Sequence, residues 1–163
     1  MTRWLAHLES KGELLRISEP VDVELEAGAI ADRLVKSGGS AVLFEKPRLP
    51  NGEISEIPLA MNLFGTHDRT LRALGASHPT EVGERLVALM KPDIGGIVKR
   101  PWTGLPLLRD AISMPPKKVR RGSCQRVRME TDVTKLPIPK TWPMDGGRFI
   151  TLPLVVTKDP NSG

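Results

Sequence analysis

The chain has 163 residues, of which 39% are apolar and 26% charged, proportions typical of a globular protein. No apolar run is long enough to cross a bilayer and no signal-peptide pattern follows Met1, so cytoplasm is the expected location. The single cysteine, Cys124, excludes an intrachain disulfide and a zinc cluster built from several cysteines. Because no histidine lies near it in sequence, Cys124 is predicted to be an ordinary thiol rather than a nucleophile.

The net charge of +5 is unevenly distributed. Residues 1–92 carry 11 Lys and Arg against 13 Asp and Glu, and residues 93–163 carry 13 against 6, so −2 and +7 make up the total. The basic excess centres on Lys117, Lys118, Arg120, Arg121, Arg126 and Arg128. This cluster could bind an anion or nucleic acid, but no aromatic residue is interleaved for base stacking. We therefore favour a solvated linker and do not expect nucleic-acid binding, while a surface for a partner subunit or a phosphorylated ligand stays open.

Residues 1–92 alternate between helical and strand patterns, which predicts helices packed on a sheet. Helices are expected at about 3–11, 24–36, 66–75 and 80–90, and strands at about 13–17, 41–45 and 57–65. Asp22 is predicted to cap the second helix, and residues 18–20 to end the first strand at Pro20. The apolar residues predicted to face inward from the second and last helices are Leu25, Ala29, Ile30, Leu34, Val35, Val82, Leu86, Val87 and Leu89.

From residue 93 the pattern changes to a proline- and glycine-rich connector with a short helical piece at 107–113. A half-buried strand is predicted at 125–129 and extended chain at 132–139. The apolar, β-branched run at 149–157 predicts a buried strand, closed by a turn that begins at Asp159. Since two strands cannot close a β domain by themselves, the chain is expected to be cut before the partner strand.

No catalytic group is indicated by spacing alone. The histidines His7, His67 and His78 are scattered on or beside helices, and capping or surface roles are favoured over metal ligation. Asp145 and Arg148 flank a Gly-Gly turn and could orient an anion, although such a pair more often fixes the turn. Residues 65–67 could form a phosphate-binding turn, but no GxGxxG pattern or Walker lysine accompanies them, so a helix cap is preferred.

Four collinear pieces of the chain, 8–17, 29–39, 60–65 and 136–160, resemble the N-terminal part of the UbiD-type decarboxylases, which include 4-hydroxy-3-polyprenylbenzoate decarboxylase. The resemblance implies a small α/β (α+β) domain at 1–92, a wrapping connector at 93–122, and the first strands of a split β-barrel of flavin-reductase-like type at 123–163. It implies a lyase that decarboxylates aromatic, heteroaromatic or α,β-unsaturated acids, as a dimer or hexamer. It also implies prenylated FMN as cofactor, with manganese (Mn2+) and often potassium (K+) at its phosphate.

The family's metal-binding and acid/base residues are expected beyond Gly163, so no catalytic or metal residue is assigned within the chain. Asn161 is a turn residue and does not take the metal role. Thr151, on the expected first barrel strand, is the only residue assigned to cofactor binding, and residues 1–163 alone are expected to be inactive. The alternative is a non-catalytic interaction subunit that pairs with a separate chain carrying the active site.

Overall fold

A computed structural model describes residues 2–91, 101–113, 115–122, 125–127 and 132–162. Two compact units are present. The first is formed by Met1–Gly65 together with Thr131–Gly163, and the second by Thr66–Glu130. No helix in the described part of the chain is both long and apolar enough to cross a membrane.

The first unit is built on a three-stranded mixed sheet in the order β1-β2-β3. Helix α1 (Thr2–Ser10) precedes β1 (Leu14–Asp22), α2 (Glu26–Lys36) connects β1 to β2 (Ala41–Arg48), and β3 (Leu59–Met61) follows. Strands β1 and β2 are parallel, as a strand-helix-strand connection requires, and β3 pairs with β2 in the antiparallel direction. The predicted packing of helices on a sheet is confirmed.

Both faces of the central strand β2 are covered. Because side chains alternate across a strand, Val42 and Phe44 point to the face that packs with Ala27 of α2. Ala41 points to the other face and packs with Leu8 of α1. The continuous apolar run of β2 is therefore the pattern of a strand buried on both sides.

The predicted strand boundaries need correction. Strand β1 does not end before Pro20 but continues to Asp22, with a shift in its register to β2 between Ile17 and Pro20. A proline is tolerated there because β1 is an edge strand of the sheet. Strand β3 is much shorter than the predicted 57–65, since Asn62 adopts a left-handed conformation with φ of 56°.

The predicted N-cap of α2 is also wrong. Asp22 lies in β1, where its carboxylate pairs with Arg48 at 3.0 Å. Leu25 occupies the N-cap position with φ of 66° and makes no side-chain capping bond. The Glu26 carboxylate instead accepts a hydrogen bond from the Asp22 backbone N–H at 2.8 Å. Leu25 and Val35 are exposed, contrary to the prediction that they face inward.

In the second unit, the predicted ends of α3 (His67–Leu74) are confirmed. The Thr66 hydroxyl accepts the Arg69 backbone N–H at 3.2 Å, and Gly75 ends the helix in the left-handed conformation with φ of 65°. The 65–67 segment is therefore the start of a capped helix, as preferred from the sequence.

Four predictions for the later helices and strands are wrong. Helix α4 (Pro79–Met90) has no buried residue, and Leu86 and Val87 are 52% and 60% exposed. Helix α5 (Pro101–Ser113) begins well before the predicted 107–113, with Pro101 in the first turn, where its missing N–H costs nothing. Residues 125–127 are exposed and not in a strand, and a 3-10 helix at Val133–Lys135 interrupts the predicted extended segment. Cys124, Arg128 and the segment 94–98 lie outside the described residues.

Candidate functional site

The stretch around Lys140 returns to the first unit and pairs with the link between β1 and α2. The Lys140 N–H donates to Val23 O at 3.1 Å, and the Leu25 N–H donates to Lys140 O at 2.8 Å, which forms a parallel bridge. A Cβ placed on Gly28 of α2 would lie 3.0 Å from the backbone of Thr141. The absence of a side chain at Gly28 therefore lets this segment approach the helix closely.

This return creates a cavity of about 290 Å³ beside β3. Three stretches line it: β3 with the two residues that follow it, residues 137–139, and residues 149–152. Its members are Leu59, Ala60, Met61, Asn62, Leu63, Pro137, Ile138, Pro139, Phe149, Ile150, Thr151 and Leu152. Apolar side chains dominate the wall, and the Thr151 hydroxyl and the Asn62 amide are its side-chain hydrogen-bonding groups. Such a surface suits a largely apolar ligand held by a few polar contacts.

The two later walls of the cavity are joined by a turn at 142–145. The Asp145 carboxylate accepts the Trp142 backbone N–H at 2.9 Å, and the Asp145 N–H donates to Trp142 O at 3.1 Å. The Phe149 N–H then donates to Pro139 O at 3.0 Å. The role of Asp145 is thus to fix the turn, and among the described residues no ion pair joins it to Arg148.

Arg148 lies immediately before the wall at 149–152. Its Nη1 is buried and has no hydrogen-bond partner within the described ranges. The pKa of Asp132 is held below its usual value chiefly by the Thr134 hydroxyl and backbone N–H, with a smaller contribution from the positive charge of Arg148. The Nη1 group of Arg148 is therefore a buried hydrogen-bond donor, and the described residues do not supply an acceptor for it.

The loop 62–65, which follows β3, is fixed by hydrogen bonds and by an aromatic contact with other parts of the first unit. Asn62 Nδ2 donates to Ser40 O at 2.9 Å, and Trp4 Nε1 donates to Leu63 O at 3.3 Å. The Trp4 ring also stacks on Phe64, with 5.8 Å between ring centroids. These contacts join the loop to α1 and to the residue that precedes β2, and they hold the β3 side of the cavity in position.

Replacing Gly65 with alanine is expected to destabilise the first unit by about 1–3 kcal/mol, the usual cost of overpacking. A Cβ at this position would overlap Asn62 Oδ1, and the amide cannot turn away without losing its bond to Ser40. Urea denaturation followed by circular dichroism measures the loss. The matched control is Gly146→Ala, because a Cβ there would meet no atom within 4 Å; equal stabilities of the two variants would contradict the expectation.

Thr151 lines the cavity and its side chain is exposed, but the strand expected to carry it is absent. Residues 149–157 are not in a β-strand, and their large apolar side chains are exposed rather than buried. The physical reason is that, in the described part of the chain, no neighbouring strand pairs with them.

The other candidate residues have structural roles. The Asp159 carboxylate accepts backbone N–H groups of Asn161 and Ser162 at 2.7 and 3.2 Å, which lowers its pKa and forms the predicted turn. His78 caps α4 by accepting the Thr80 N–H, and His7 stacks on Trp4. Across the described ranges no three His, Cys, Asp or Glu residues are placed to hold a metal ion.

Sequence reasoning did not identify the β3 and 137–139 walls of the cavity. Both were recognised as apolar or extended segments, but periodicity does not show that they meet. The only signal for their importance is that residues 60–65 and 136–139 belong to the pieces that carry the family resemblance.

Comparison with known proteins identifies the family. Residues 5–90, more than half of the chain, match the family model of the 3-octaprenyl-4-hydroxybenzoate carboxy-lyase N-terminal domain, UbiD_N. Residues 117–163 match the Rift-related domain of the same enzymes, UbiD. The chain belongs to the UbiD family.

Relatives of this UbiD-family chain are considerably longer. An uncharacterized protein of Archaeoglobus fulgidus is 40% identical over all 163 residues, which cover 32% of its length. An evolved dimeric form of the UbiD-class enzyme HmfF from Pelotomaculum thermopropionicum, solved in complex with prFMN, is 25% identical with a TM-score of 0.62. That match covers 99% of this chain and 33% of HmfF. The chain thus spans about a third of the length of these relatives.

Proposed function

We propose that this chain is the N-terminal portion of a prenylated-FMN-dependent, reversible (de)carboxylase acting on an aromatic, heteroaromatic or α,β-unsaturated carboxylic acid. The observation that carries the proposal is the ordered match to two domains of the UbiD family. It is supported by the similarity of 99% of the chain to an HmfF structure that contains prFMN.

In this proposal the cavity beside β3 would lie against one side of the cofactor. Its volume of about 290 Å³ is at the lower end of small-molecule pockets, which span roughly 300–1,000 Å³, so it would receive part of a flavin. Met61 and Ile138 would contact the apolar rings, and the Thr151 hydroxyl would offer a hydrogen bond. When bound, prenylated FMN would supply the electron sink that loss of carbon dioxide requires.

Within the proposal, this chain shapes and shields one wall of the site, and the acid/base chemistry belongs to later residues. The expected manganese and potassium ions would also be held there, because the family's metal-binding residues are expected beyond Gly163. Residues 123–163 would form the first strands of a split β-barrel, after the N-terminal domain at 1–92 and the connector at 93–122. The exposed apolar side chains of 149–156 support this, because a neighbouring strand would cover them.

The complete polypeptide, reconstituted with prenylated FMN, is expected to release carbon dioxide from at least one of the three acid classes. Residues 1–163 alone are expected to release none, because they form only one wall of the site. Carbon dioxide is measured for each acid, with unmodified FMN as the control cofactor. Turnover by residues 1–163, or a cofactor-loaded complete protein inactive on all three classes, would contradict the proposal.

The second candidate, an interaction subunit whose active site lies on a separate chain, is favoured by the same exposed apolar run. Size-exclusion chromatography of residues 1–163, run with and without the remaining two thirds of a UbiD-family chain, tests which of the two candidate functions is right. A stable complex with a separately encoded chain, in cells that make no complete polypeptide, would support the subunit. A cytoplasmic homo-oligomer is proposed for the complete enzyme, in line with the dimeric form of HmfF.

A further inference from the structure

The second unit carries its large apolar side chains on the outside. Among the described residues, every buried hydrophobic side chain of the core belongs to the first unit. Helix α4 exposes Leu86, Val87 and Met90, and Met90 is 81% exposed. Helix α5, which contacts α4, exposes four more apolar side chains: Trp102, Leu105, Leu108 and Ile112. Exposed apolar areas of this kind are typical of a surface that another molecule or segment covers.

The exposed residues of α4 form one side of its apolar stripe. Because an α-helix has about 3.6 residues per turn, four residues lie next to one another on this side: Gly83, Leu86, Val87 and Met90. Val82 and Leu89, on the other side of the stripe, are only partly exposed. The apolar stripe is therefore wider than the part that the described residues cover.

Gly83 lies inside α4, where a glycine costs about 1 kcal/mol relative to alanine. A Cβ at this position would meet no atom within 4 Å. Contacts within the described chain therefore do not explain the missing side chain. A glycine on an exposed helix face allows the backbone of a second helix to approach closely.

The charges beside this face change sign along the helix. Glu84 and Lys91 are separated by about two helical turns, so they lie on the same flank of α4, and both are exposed. In an antiparallel contact between two copies of α4, centred on Leu86 and Val87, Glu84 of each copy would face Lys91 of the other. Opposite charges would then meet at both ends of the contact.

Side-chain size is complementary in the same arrangement. An antiparallel contact with this centre places Gly83 of one copy opposite Met90 of the other. A position without a side chain would thus receive a long and flexible one. A twofold contact requires a surface that is complementary to itself, and α4 meets this requirement both in charge and in size.

We propose that the exposed face of α4, formed by Gly83, Leu86, Val87 and Met90, packs antiparallel against the same face of a second copy of this chain. The proposal rests on the homo-oligomer proposed above and names a surface for it. A stable dimer buries roughly 800 Å² on each partner, which these four residues cannot supply alone. The exposed apolar side chains of α5 are a source of the remaining area.

Analytical ultracentrifugation of the complete protein, over a range of concentrations, measures the mass of the oligomer and its dissociation constant. Met90→Asp is expected to raise this constant at least about a hundredfold, because the contact would bury an unpaired carboxylate from each copy. Met144→Asp is the matched control and should leave the constant unchanged within about twofold, since Met144 is exposed in a turn of the first unit. Circular dichroism is expected to show both variants folded, because neither side chain is buried within one chain.

Exchange of the two charges tests the antiparallel arrangement. Glu84→Lys and Lys91→Glu each place like charges opposite one another, so each is expected to raise the dissociation constant about tenfold. The Glu84→Lys/Lys91→Glu variant has opposite charges in both pairs again. Its constant should return to within about threefold of that of the unchanged protein, a recovery that a purely structural role of either residue would not produce.

The proposal is overturned if Met90→Asp leaves the oligomer unchanged or if the double variant does not recover. If a later segment of the same polypeptide covers α4, Met90→Asp would lower the midpoint of urea denaturation without changing the mass, and this result also overturns it. A monomeric complete protein would overturn both this surface and the proposed homo-oligomer. Because none of these measurements depends on carbon dioxide release, their failure would not contradict the proposed decarboxylation.

Discussion

Replacing Phe44 with alanine is expected to destabilise the first unit by about 3–5 kcal/mol, the range observed for truncation of a buried aromatic side chain. Phe44 is 0% exposed in the central strand and packs in one cluster with Val21, Ala27 and Val42. Strand β2 has a neighbouring strand on each side, so the backbone cannot collapse easily into the space left by the ring.

Equilibrium urea denaturation of the 163-residue chain, followed by circular dichroism, measures this loss. Phe149→Ala is the matched control, because Phe149 is 51% exposed and its truncation should cost less than about 1 kcal/mol. A Phe44→Ala variant as stable as the Phe149→Ala variant would show that the cluster around β2 is not the core of this unit.

The sequence predicted those parts of the fold that depend on the conformational preference of a single residue or a short segment. Gly12 and Gly75 adopt positive φ next to helix ends, and Thr66 caps α3 through its hydroxyl. The apolar run from Ala41 to Phe44 is buried in β2 as expected. In each case the preference is set within a few residues, so no knowledge of the tertiary fold is needed.

Predictions failed where tertiary contacts decide the outcome. Asp22 has the chemistry of an N-cap, but it lies in β1, where it is the register partner of Arg48 on the adjacent strand. The apolar residues Leu86 and Val87 of α4 are patterned for burial and are nevertheless exposed in this chain. A hydrophobic pattern therefore indicates that one face of a helix packs against another surface. It does not indicate whether that surface belongs to these 163 residues.

In the candidate site, too, some features follow from the sequence and others depend on tertiary contacts. Thr151 was assigned through the family resemblance, and the structure places it on the wall of a cavity. The opposite wall at Met61 could not be predicted, because residues 61 and 151 line one cavity only in the folded unit, in which Lys140 forms a bridge with Glu24. No periodicity in the sequence indicates that two segments so far apart line the same cavity.

The exposed run at 149–156 links the fold to the proposed function. Closely spaced large apolar side chains are costly in water when they are exposed, and unpaired backbone groups favour the addition of a strand. If later parts of a UbiD-family chain supply that strand, side chains of the run that are exposed in residues 1–163 become buried in the complete protein. One substitution, studied in both chains, therefore tests the proposed barrel directly.

Leu154→Asp is expected to leave the stability of residues 1–163 unchanged within about 0.5 kcal/mol, because Leu154 is 92% exposed there. In the complete protein the same change is expected to cost at least about 3 kcal/mol, since it would place an unpaired carboxylate on a buried strand and remove apolar contacts. Urea denaturation of both chains measures the two values. Met144→Asp is the control, because Met144 is 94% exposed in a turn outside the run and should be tolerated in both. A complete protein that tolerates Leu154→Asp as well as Met144→Asp would exclude a buried barrel strand at this position, and with it the proposed architecture around Thr151.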